Sequence, residues 1–495
     1  MPDAILAIDQ GTTGSTALVF SRNGRIIGRA YAEISAQFPQ PGWVEQDAGE
    51  IWHTSLRVMG QALRAAHVSG GELKAIGITN QRETTILWDR RTGEPVHPAI
   101  VWQSRQNAPV CERLRREGHE PGVRKKTGLL FDAYFSGTKI AWIFERHPEL
   151  AAKARGGDIL FGTVDSWLIW KLTGGTVHAT DPTNASRTLL YDIHDRRWDE
   201  DLCALMGVPA CMLPEVKPSS GRYGLTKPVD GIPGGIPLSG VAGDQQAALY
   251  GQHCWKPGQA KNTYGTGCFL LMNLGGRHPI SEGGLLTTLC CGPHGEPSYA
   301  LEGAVFTAGA AVQWLRDGLG IIANASETAA LAGSVPDTQG VYVVPAFTGL
   351  GAPHWNMDAR GAIVGLTRGA NRAHIIRATL ESLAYQTRDV VEVMNADSGI
   401  PIAELRVDGG AAANDLLMQF QADLLGVPVE RPALVESTGA GAAFLAGLAE
   451  GFWSGPEELE AARRLERTFS PAMSPSVRES LYAGWQKAVR QVLAK

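Results

Sequence analysis

Short apolar runs broken by polar, glycine-rich turns dominate the start of the chain. Ile5–Ile8 runs into Asp9 and then Gly11-Thr12-Thr13-Gly14-Ser15-Thr16, and a second apolar run, ALVF, follows at once. This pattern predicts strand, tight turn, strand. Leu73–Asn80 predicts a strand ending in the polar NQRETT, and Thr85–Asp89 predicts another. In Thr138–Leu150 the residues Ile140, Ile143, Phe144 and His147 recur at helical spacing behind Thr138, which reads as the cap. DSWLIWKLTG predicts a helix closed by Gly174. The proline- and glycine-rich zone Pro214–Pro237 reads as irregular, exposed loop, and the strand PLSGVAG then leads into a helix beginning near Asp244.

After Trp255-Lys256-Pro257-Gly258 the pattern starts again. Ala260–Asn273, AKNTYGTGCFLLMN, repeats the opening theme of strand, Gly-Thr-Gly turn and apolar strand, which makes a short internal repeat. His374–Met394 predicts a long helix with Ile376, Leu380, Leu383 and Val390 on one face. Glu404–Gly426 reads as strand, Gly-Gly turn and helix. Ser437–Phe452 is a Gly/Ala-rich helix suited to very close packing, and the tail is one exposed helix. With 495 residues, more than one hydrophobic core usually supports, the chain predicts two domains, 1–251 and 252–495.

Composition excludes some roles. The formal net charge of −5 gives no electrostatic reason to expect nucleic acid or an anionic membrane as partner. Arg113, Arg115 and Arg116 with Glu112 and Glu117 read as a solvated helix face. The start, MPDAIL, has no basic segment before its apolar run, so no signal peptide is expected. No uninterrupted apolar stretch is long enough to span a bilayer. Seven cysteines, with no CxxC and no metal spacing, fit a reduced, cytoplasmic protein, with Cys290 and Cys291 adjacent in one strand.

The chemistry lies in the turns. A turn rich in glycine and hydroxyls gathers backbone N–H groups and Thr side chains around one point, which suits phosphate oxygens. Asp9 cannot face phosphate directly but can hold a bridging Mg²⁺. The turn is not a Walker A loop, because no Lys follows, and not a dinucleotide fingerprint, because it leads into a strand. Thr266 sits in the second such turn. Val407-Asp408-Gly409-Gly410 lets backbone approach a ligand, with Asn414 at the start of the next helix. Asp244, at a strand end and helix start, is a candidate base as well as a candidate N-cap. Arg82 and Glu83 offer a donor–acceptor pair for hydroxyls, though alone such a pair is usually a surface ion pair. Trp102, Tyr134 and Phe269 offer walls for a carbon chain, though Trp102 and Phe269 alone are more often core.

A strand–Asp-x-Gly-Thr-Thr–strand unit resembles the phosphate hairpin of the actin, Hsp70 and sugar-kinase superfamily. Blocks such as AIDQGTT, AIGITNQRETTILWD, SGVAGDQQAALYGQ and LRVDGGAAANDLLMQFQADLLG, with signature-like stretches at Tyr134–Arg146 and Gly361–Glu381, resemble the FGGY carbohydrate kinases from about Ile5 to Trp485. The resemblance implies an α/β fold of two ribonuclease-H-like domains flanking an ATP-binding cleft, and Mg²⁺-dependent transfer of phosphate from ATP to glycerol. By position, Arg82, Glu83, Trp102, Tyr134, Asp244, Gln245 and Phe269 would bind the polyol, with Asp244 as base. Thr12, Thr13, Gly14, Thr266, Gly309, Gln313, Gly410 and Asn414 would contact the nucleotide, and Asp9 would act through the metal. A homodimer or homotetramer is likewise expected from resemblance alone. A kinase for another short polyol or sugar, or an actin- or Hsp70-like ATPase without a small acceptor, are the alternatives. Thr16 stands where many relatives carry Arg, Ala133 where Pro is common, and His354 where Tyr is common. VDGIPGGIP lacks the Arg through which some members bind a sugar bisphosphate, and SSGRYG lacks the His that others phosphorylate, so neither control is expected.

Overall fold

The computed structural model describes residues 3–356 and 358–494. It divides into two compact units. The first takes the chain up to Trp255 together with Thr287–Tyr299 and Glu436–Arg463; the second takes Lys256–Leu286, Ala300–Val435 and the chain from Arg464 on. The first unit thus gathers segments from both halves of the sequence, while the second lies wholly within the C-terminal half.

The first unit is built on a mixed sheet. In spatial order its strands are Ser220–Leu225, Pro237–Gly243, Leu73–Asn80, Ala4–Gln10, Gly14–Ser21 and Ile26–Glu33. Ala4–Gln10 and Gly14–Ser21 form the antiparallel hairpin predicted from the opening pattern, with Asp9 opposite Thr16. Leu73–Asn80 lies parallel to Ala4–Gln10, and Pro237–Gly243 parallel to Leu73–Asn80. These parallel strands deliver Asp9, Arg82 and Asp244 to their carboxyl ends, the usual place for a site in such folds. The central strands are apolar on both faces because helices cover both. On one face lies the Gly/Ala helix Ser437–Ala449. A Cβ on Gly77 would run into the Ala442 carbonyl, and one on Gly240 would lie 2.6 Å from that same oxygen, so helix and sheet meet backbone to backbone.

The second unit repeats the plan. Five strands within it follow the order Cys268–Gly275, Ala260–Tyr264, Leu405–Asp408, Val429–Pro432 and Leu465–Phe469. Ala260–Tyr264 and Cys268–Gly275 form a second antiparallel hairpin, and Leu405–Asp408 lies parallel to Ala260–Tyr264. The long helix runs Arg372–Ser398 and the last one Pro475–Leu493, where Tyr482, Trp485, Ala488 and Val489 are buried.

Three expectations are corrected. Thr138–Leu150 is not one helix: Ser136–Arg146 ends before Pro148–Arg155 begins, because Pro148 lacks an N–H and disfavours helical backbone at His147. Thr138 is no cap; Phe135 holds the N-cap position, and the buried Thr138 hydroxyl donates to the Phe135 carbonyl at 3.3 Å. Nor is Pro214–Pro237 wholly loop. Ser220–Leu225 pairs antiparallel with Pro237–Gly243 as an edge strand, where flanking prolines interrupt no ladder. All seven cysteines are free, and among the described residues no helix is long and apolar enough to cross a membrane.

Candidate active site

In the first unit the strand Leu73–Asn80 ends in a polar loop pinned by side-chain amides. Gln81 donates its N–H to the Gln10 carbonyl at 2.7 Å and its side-chain amide to Gln46 at 2.9 Å. Asn80 exchanges amide hydrogen bonds with Asn184 at 3.0 and 3.1 Å. The loop then turns through Glu83, whose φ of +60° is a left-handed conformation rare for a side-chain-bearing residue. Arg82 and Glu83 are buried, 2% and 1% exposed, so they are not the surface ion pair that such a dipeptide usually makes.

Arg82 is the hub. Its Nε lies 3.2 Å from Asp244 Oδ1 and 3.8 Å from Glu83 Oε1. Its terminal nitrogens donate to Tyr134 Oη and Gln246 Oε1, each at 3.3 Å. Gly243 makes room for it, since a Cβ there would sit 2.7 Å from Arg82 Cγ. Trp102 packs its ring edge-on to Tyr134, centroids 5.5 Å apart. Asp244 is the first residue of the helix Asp244–Gly251, and Gly243 holds the N-cap position. The N-cap role expected of Asp244 is therefore not taken; its carboxylate accepts the N–H of Gln245 at 2.7 Å. Gln245 lies beside Asp244, and the buried Gln246 is the one that reaches Arg82.

The first hairpin turn is closed by the Gly11 N–H donating to the Gly14 carbonyl at 2.9 Å, leaving Thr13 exposed and Thr12 half-buried. Trp102 Nε1 donates to Thr12 Oγ1 at 2.8 Å, which ties the turn to the aromatic wall. Gly14 is buried against the neighbouring strand, where a Cβ would come within 2.6 Å of the Ala32 carbonyl. The Asp9 carboxyl is pushed up to about 8, chiefly by burial and then by the negative charges of Asp244 and Glu436. A single carboxylate completed by phosphate oxygens is a donor set that Mg²⁺ accepts, so Asp9 fits the expected metal. Among the described residues no cluster of three or more metal-binding side chains exists to hold one independently of substrate.

In the second unit the turn of the second hairpin leaves Thr266 exposed, and its carbonyls tie down the helix Gly309–Asp317. Gly309 N–H donates to the Gly265 carbonyl at 3.0 Å and Ala310 N–H to the Thr266 carbonyl at 3.1 Å. A Cβ on Gly309 would lie 2.6 Å from the Gly265 oxygen, so glycine is required there by the close approach itself. Gln313 is exposed on the same helix. Gly410 is exposed with open space above it, as close approach of a ligand to backbone requires. Asn414 caps the helix Asp415–Leu425, accepting the Leu417 N–H at 3.1 Å and donating to Thr328 Oγ1 at 3.2 Å. Beside this turn, Val407, Asp408, Gly409, Ala412 and Arg431 line a cavity of about 120 Å³. Phe269 also belongs to this unit, half-buried opposite Thr263 in the hairpin.

Two buried cations were missed by sequence reasoning. Arg187 Nε donates to Glu83 Oε1 at 2.6 Å, and its guanidinium stacks 5.6 Å from the Tyr134 ring centroid and 5.2 Å from that of Phe135. Lys139 Nζ donates to the Glu83 and Tyr134 carbonyls. The available signal for Lys139 was a lone Lys inside the apolar helical stretch KIAWIF; Arg187, in ASRTLL, offered less.

Residues 4–251 match the N-terminal domain of the FGGY family of carbohydrate kinases, and residues 260–450 match its C-terminal domain. The glycerol kinase of Carboxydothermus hydrogenoformans is 58% identical over 485 residues, covering 98% of this chain and 97% of its own. The glycerol kinase of Thermus thermophilus is 55% identical, with full coverage of both. Among solved structures, Plasmodium falciparum glycerol kinase with ADP superposes with a TM-score of 0.94 at 37% identity, covering 100% of this chain and 99% of that one. Xylulose kinase from Lactobacillus acidophilus superposes at 0.87 with 19% identity, a likeness of fold alone. With both domain models matched in order and relatives aligned end to end, this chain is a member of the FGGY family of carbohydrate kinases.

Proposed function

We propose that the protein transfers the γ-phosphoryl group of ATP to a terminal hydroxyl of glycerol, giving glycerol 3-phosphate and ADP. The observation that carries the reading is the buried Arg82, which joins Asp244, Tyr134 and Gln246 into one hydroxyl-binding cluster. Arg82, Glu83 and Gln245 would bind the glycerol hydroxyls, while Trp102, Tyr134 and Phe269 would enclose its carbons. Asp244 would take the proton of the attacking hydroxyl as its oxygen bonds to the γ-phosphorus and the bond to the β-phosphate oxygen breaks, releasing ADP. Thr12, Thr13, Gly14, Thr266, Gly309, Gln313, Gly410 and Asn414 would hold the nucleotide. Asp9 would hold a Mg²⁺ whose charge offsets that of the β- and γ-phosphates. Arg82, fixed on several partners, keeps the carboxylate of Asp244 oriented before substrate arrives, so little reorganisation is needed at the moment of transfer.

The same proposal places the enzyme in the cytoplasm, where seven free thiols remain reduced, and as an assembly of two or four copies. It also keeps the two domains at 1–251 and 252–495; the two family models match residues 4–251 and 260–450 in turn. The deciding experiment is ADP release from purified protein with Mg²⁺ and ATP against glycerol, xylulose and gluconate. Glycerol-dependent release well above the acceptor-free rate is expected. A rate that rises with a sugar and not with glycerol would reassign the acceptor, and a rate indifferent to all three would leave an ATPase.

A further inference from the structure

Glu83 carries the left-handed backbone of the polar loop at a φ of +60°, and its carbonyl oxygen is held by three donors. Thr85 Oγ1 lies at 3.1 Å, Ser136 Oγ at 3.0 Å and Lys139 Nζ at 2.9 Å. The Lys139 ammonium also donates to the Tyr134 carbonyl at 2.8 Å. Lys139 is 0% exposed in the first turn of the helix Ser136–Arg146, so its side chain runs back under the loop rather than out to water. An unfavourable backbone conformation persists only where its surroundings over-determine it. Here the over-determining group is a buried cation that spans both loops of the candidate polyol pocket.

We propose that Lys139 is a positioning residue for the polyol: by bridging the Glu83 and Tyr134 carbonyls it fixes the distance between the carboxylate and the phenol that are to bind the acceptor. The inference rests on the reading of Arg82, Glu83 and Tyr134 as that pocket. The cost of the arrangement supports a role other than stability. Burial presses the ammonium down to about 7, against the opposing pull of Glu83, Asp132 and Cys111. An unbranched apolar side chain such as methionine would fill the same channel without desolvating a charge. What methionine cannot do is hold two carbonyls at once. Arg187 complements the clamp from the other side, fixing the Glu83 carboxylate at 2.6 Å, so backbone and side chain of one residue are each gripped by a separate buried cation.

The test is Lys139→Met and Lys139→Gln in the full-length protein, with glycerol and ATP varied separately. The glycerol KM is expected to rise by about tenfold or more in Lys139→Met, with the ATP KM within about twofold of the parent. Lys139→Gln, whose amide keeps a donor, is expected to fall between. The thermal shift produced by glycerol should shrink while that produced by ATP persists, and the unliganded melting temperature of Lys139→Met should not fall. An unchanged glycerol KM in both variants overturns the proposal, as does an equal rise in both KM values with a lowered melting temperature, which is the mark of a merely structural lysine. Arg82→Ala, run in parallel, separates this failure from failure of the pocket itself: if Arg82→Ala also leaves the glycerol KM unchanged, the pocket is misplaced.

Discussion

Arg82 Nε stands 3.2 Å from Asp244 Oδ1, and the two partners differ sharply in exposure: the guanidinium side chain is 1% exposed and the carboxylate 28%. The cation is locked against the acid, while the acid itself keeps partial exposure. A carboxylate held in this way is oriented before an incoming hydroxyl arrives. Replacing Asp244 by Asn keeps the shape and removes the proton acceptor. Asp244→Asn is therefore expected to lower kcat by roughly 10²–10⁴, the usual contribution of a positioned base. Calorimetric binding of glycerol and of ATP should persist. Near-normal turnover would take Asp244 out of the base role.

Arg82 itself should be intolerant even of lysine. Its guanidinium reaches Asp244, Tyr134 and Gln246 in different directions, and a single ammonium on a flexible stem does not reproduce that fork. Arg82→Ala and Arg82→Lys are both expected to raise the glycerol KM more than the ATP KM. Truncating one partner of a buried charge pair typically costs about 2–5 kcal/mol, so the alanine effect should exceed tenfold. Equal effects on the two substrates, read from steady-state kinetics, would count against this assignment.

The hairpins were legible because each puts a Gly-Thr turn between apolar runs, so Asp9, Thr12 and Thr266 could be named from pattern alone. Arg82, Trp102, Tyr134 and Asp244 could be named as types, yet their mutual contacts arise from strands far apart in sequence. The buried cations were hidden for a physical reason: charge patterning reads Lys and Arg as solvated, and only packing reveals that Lys139 and Arg187 are not. The edge strand Ser220–Leu225 was masked by its flanking prolines and glycines. His147–Pro148 was a helix break that apolar spacing ran straight through. The assignment of Thr287–Tyr299 and Glu436–Arg463 to the first unit depends on contacts between distant segments, which no local pattern encodes.

The hydrogen bond from Trp102 Nε1 to Thr12 Oγ1, at 2.8 Å, links a wall of the candidate acceptor pocket to the first phosphate turn. Trp102→Phe keeps an aromatic wall and removes the donor; Thr12→Val keeps the volume and removes the acceptor. Each is expected to raise both KM values several-fold. In the double variant the effects should fall short of additivity by about 1 kcal/mol, the worth of a typical hydrogen bond. Strict additivity in kcat/KM would show that the two sites act independently.

Acid stability should carry the mark of His178. Its Nε2 is hydrogen-bonded to the Phe161 carbonyl at 2.8 Å, its ring meets those of Trp88 and Trp170 edge-on, and burial lowers its pKa to about 4. Between pH 6.5 and 4 the unfolded chain takes up a proton that the folded protein refuses, so stability falls as pH drops through that window. The full loss for such a shift is about 3 kcal/mol. Asp165, which burial raises to about 7, and Asp9, raised to about 8, work in the opposite sense, so the total profile mixes several contributions. Urea unfolding of parent and His178→Gln at pH 7 and pH 4.5 isolates the histidine: the parent should lose more stability on acidification than the variant. Equal losses would mean that His178 is protonated in the fold.

Gly77 offers a test of the packing that holds the candidate site's end of the sheet in place. A Cβ there would strike the Ala442 carbonyl, a backbone atom of the helix Ser437–Ala449, and Gly240 on the adjacent strand faces that same oxygen. Because the obstacle is backbone, no trimming of a neighbouring side chain can relieve it. Helix and sheet would have to separate along the strands that end near Asp9, Arg82 and Asp244. Gly77→Ala is therefore expected to cost about 1–3 kcal/mol, the usual penalty of overpacking, and to lower kcat/KM for glycerol with it. Gly71 is the control, with nothing within 4 Å of its added Cβ, and Gly71→Ala should leave both unchanged. If Gly77→Ala melts with the parent, the helix is not seated on the sheet at backbone distance, and the spacing of the three charged residues must be set by something else.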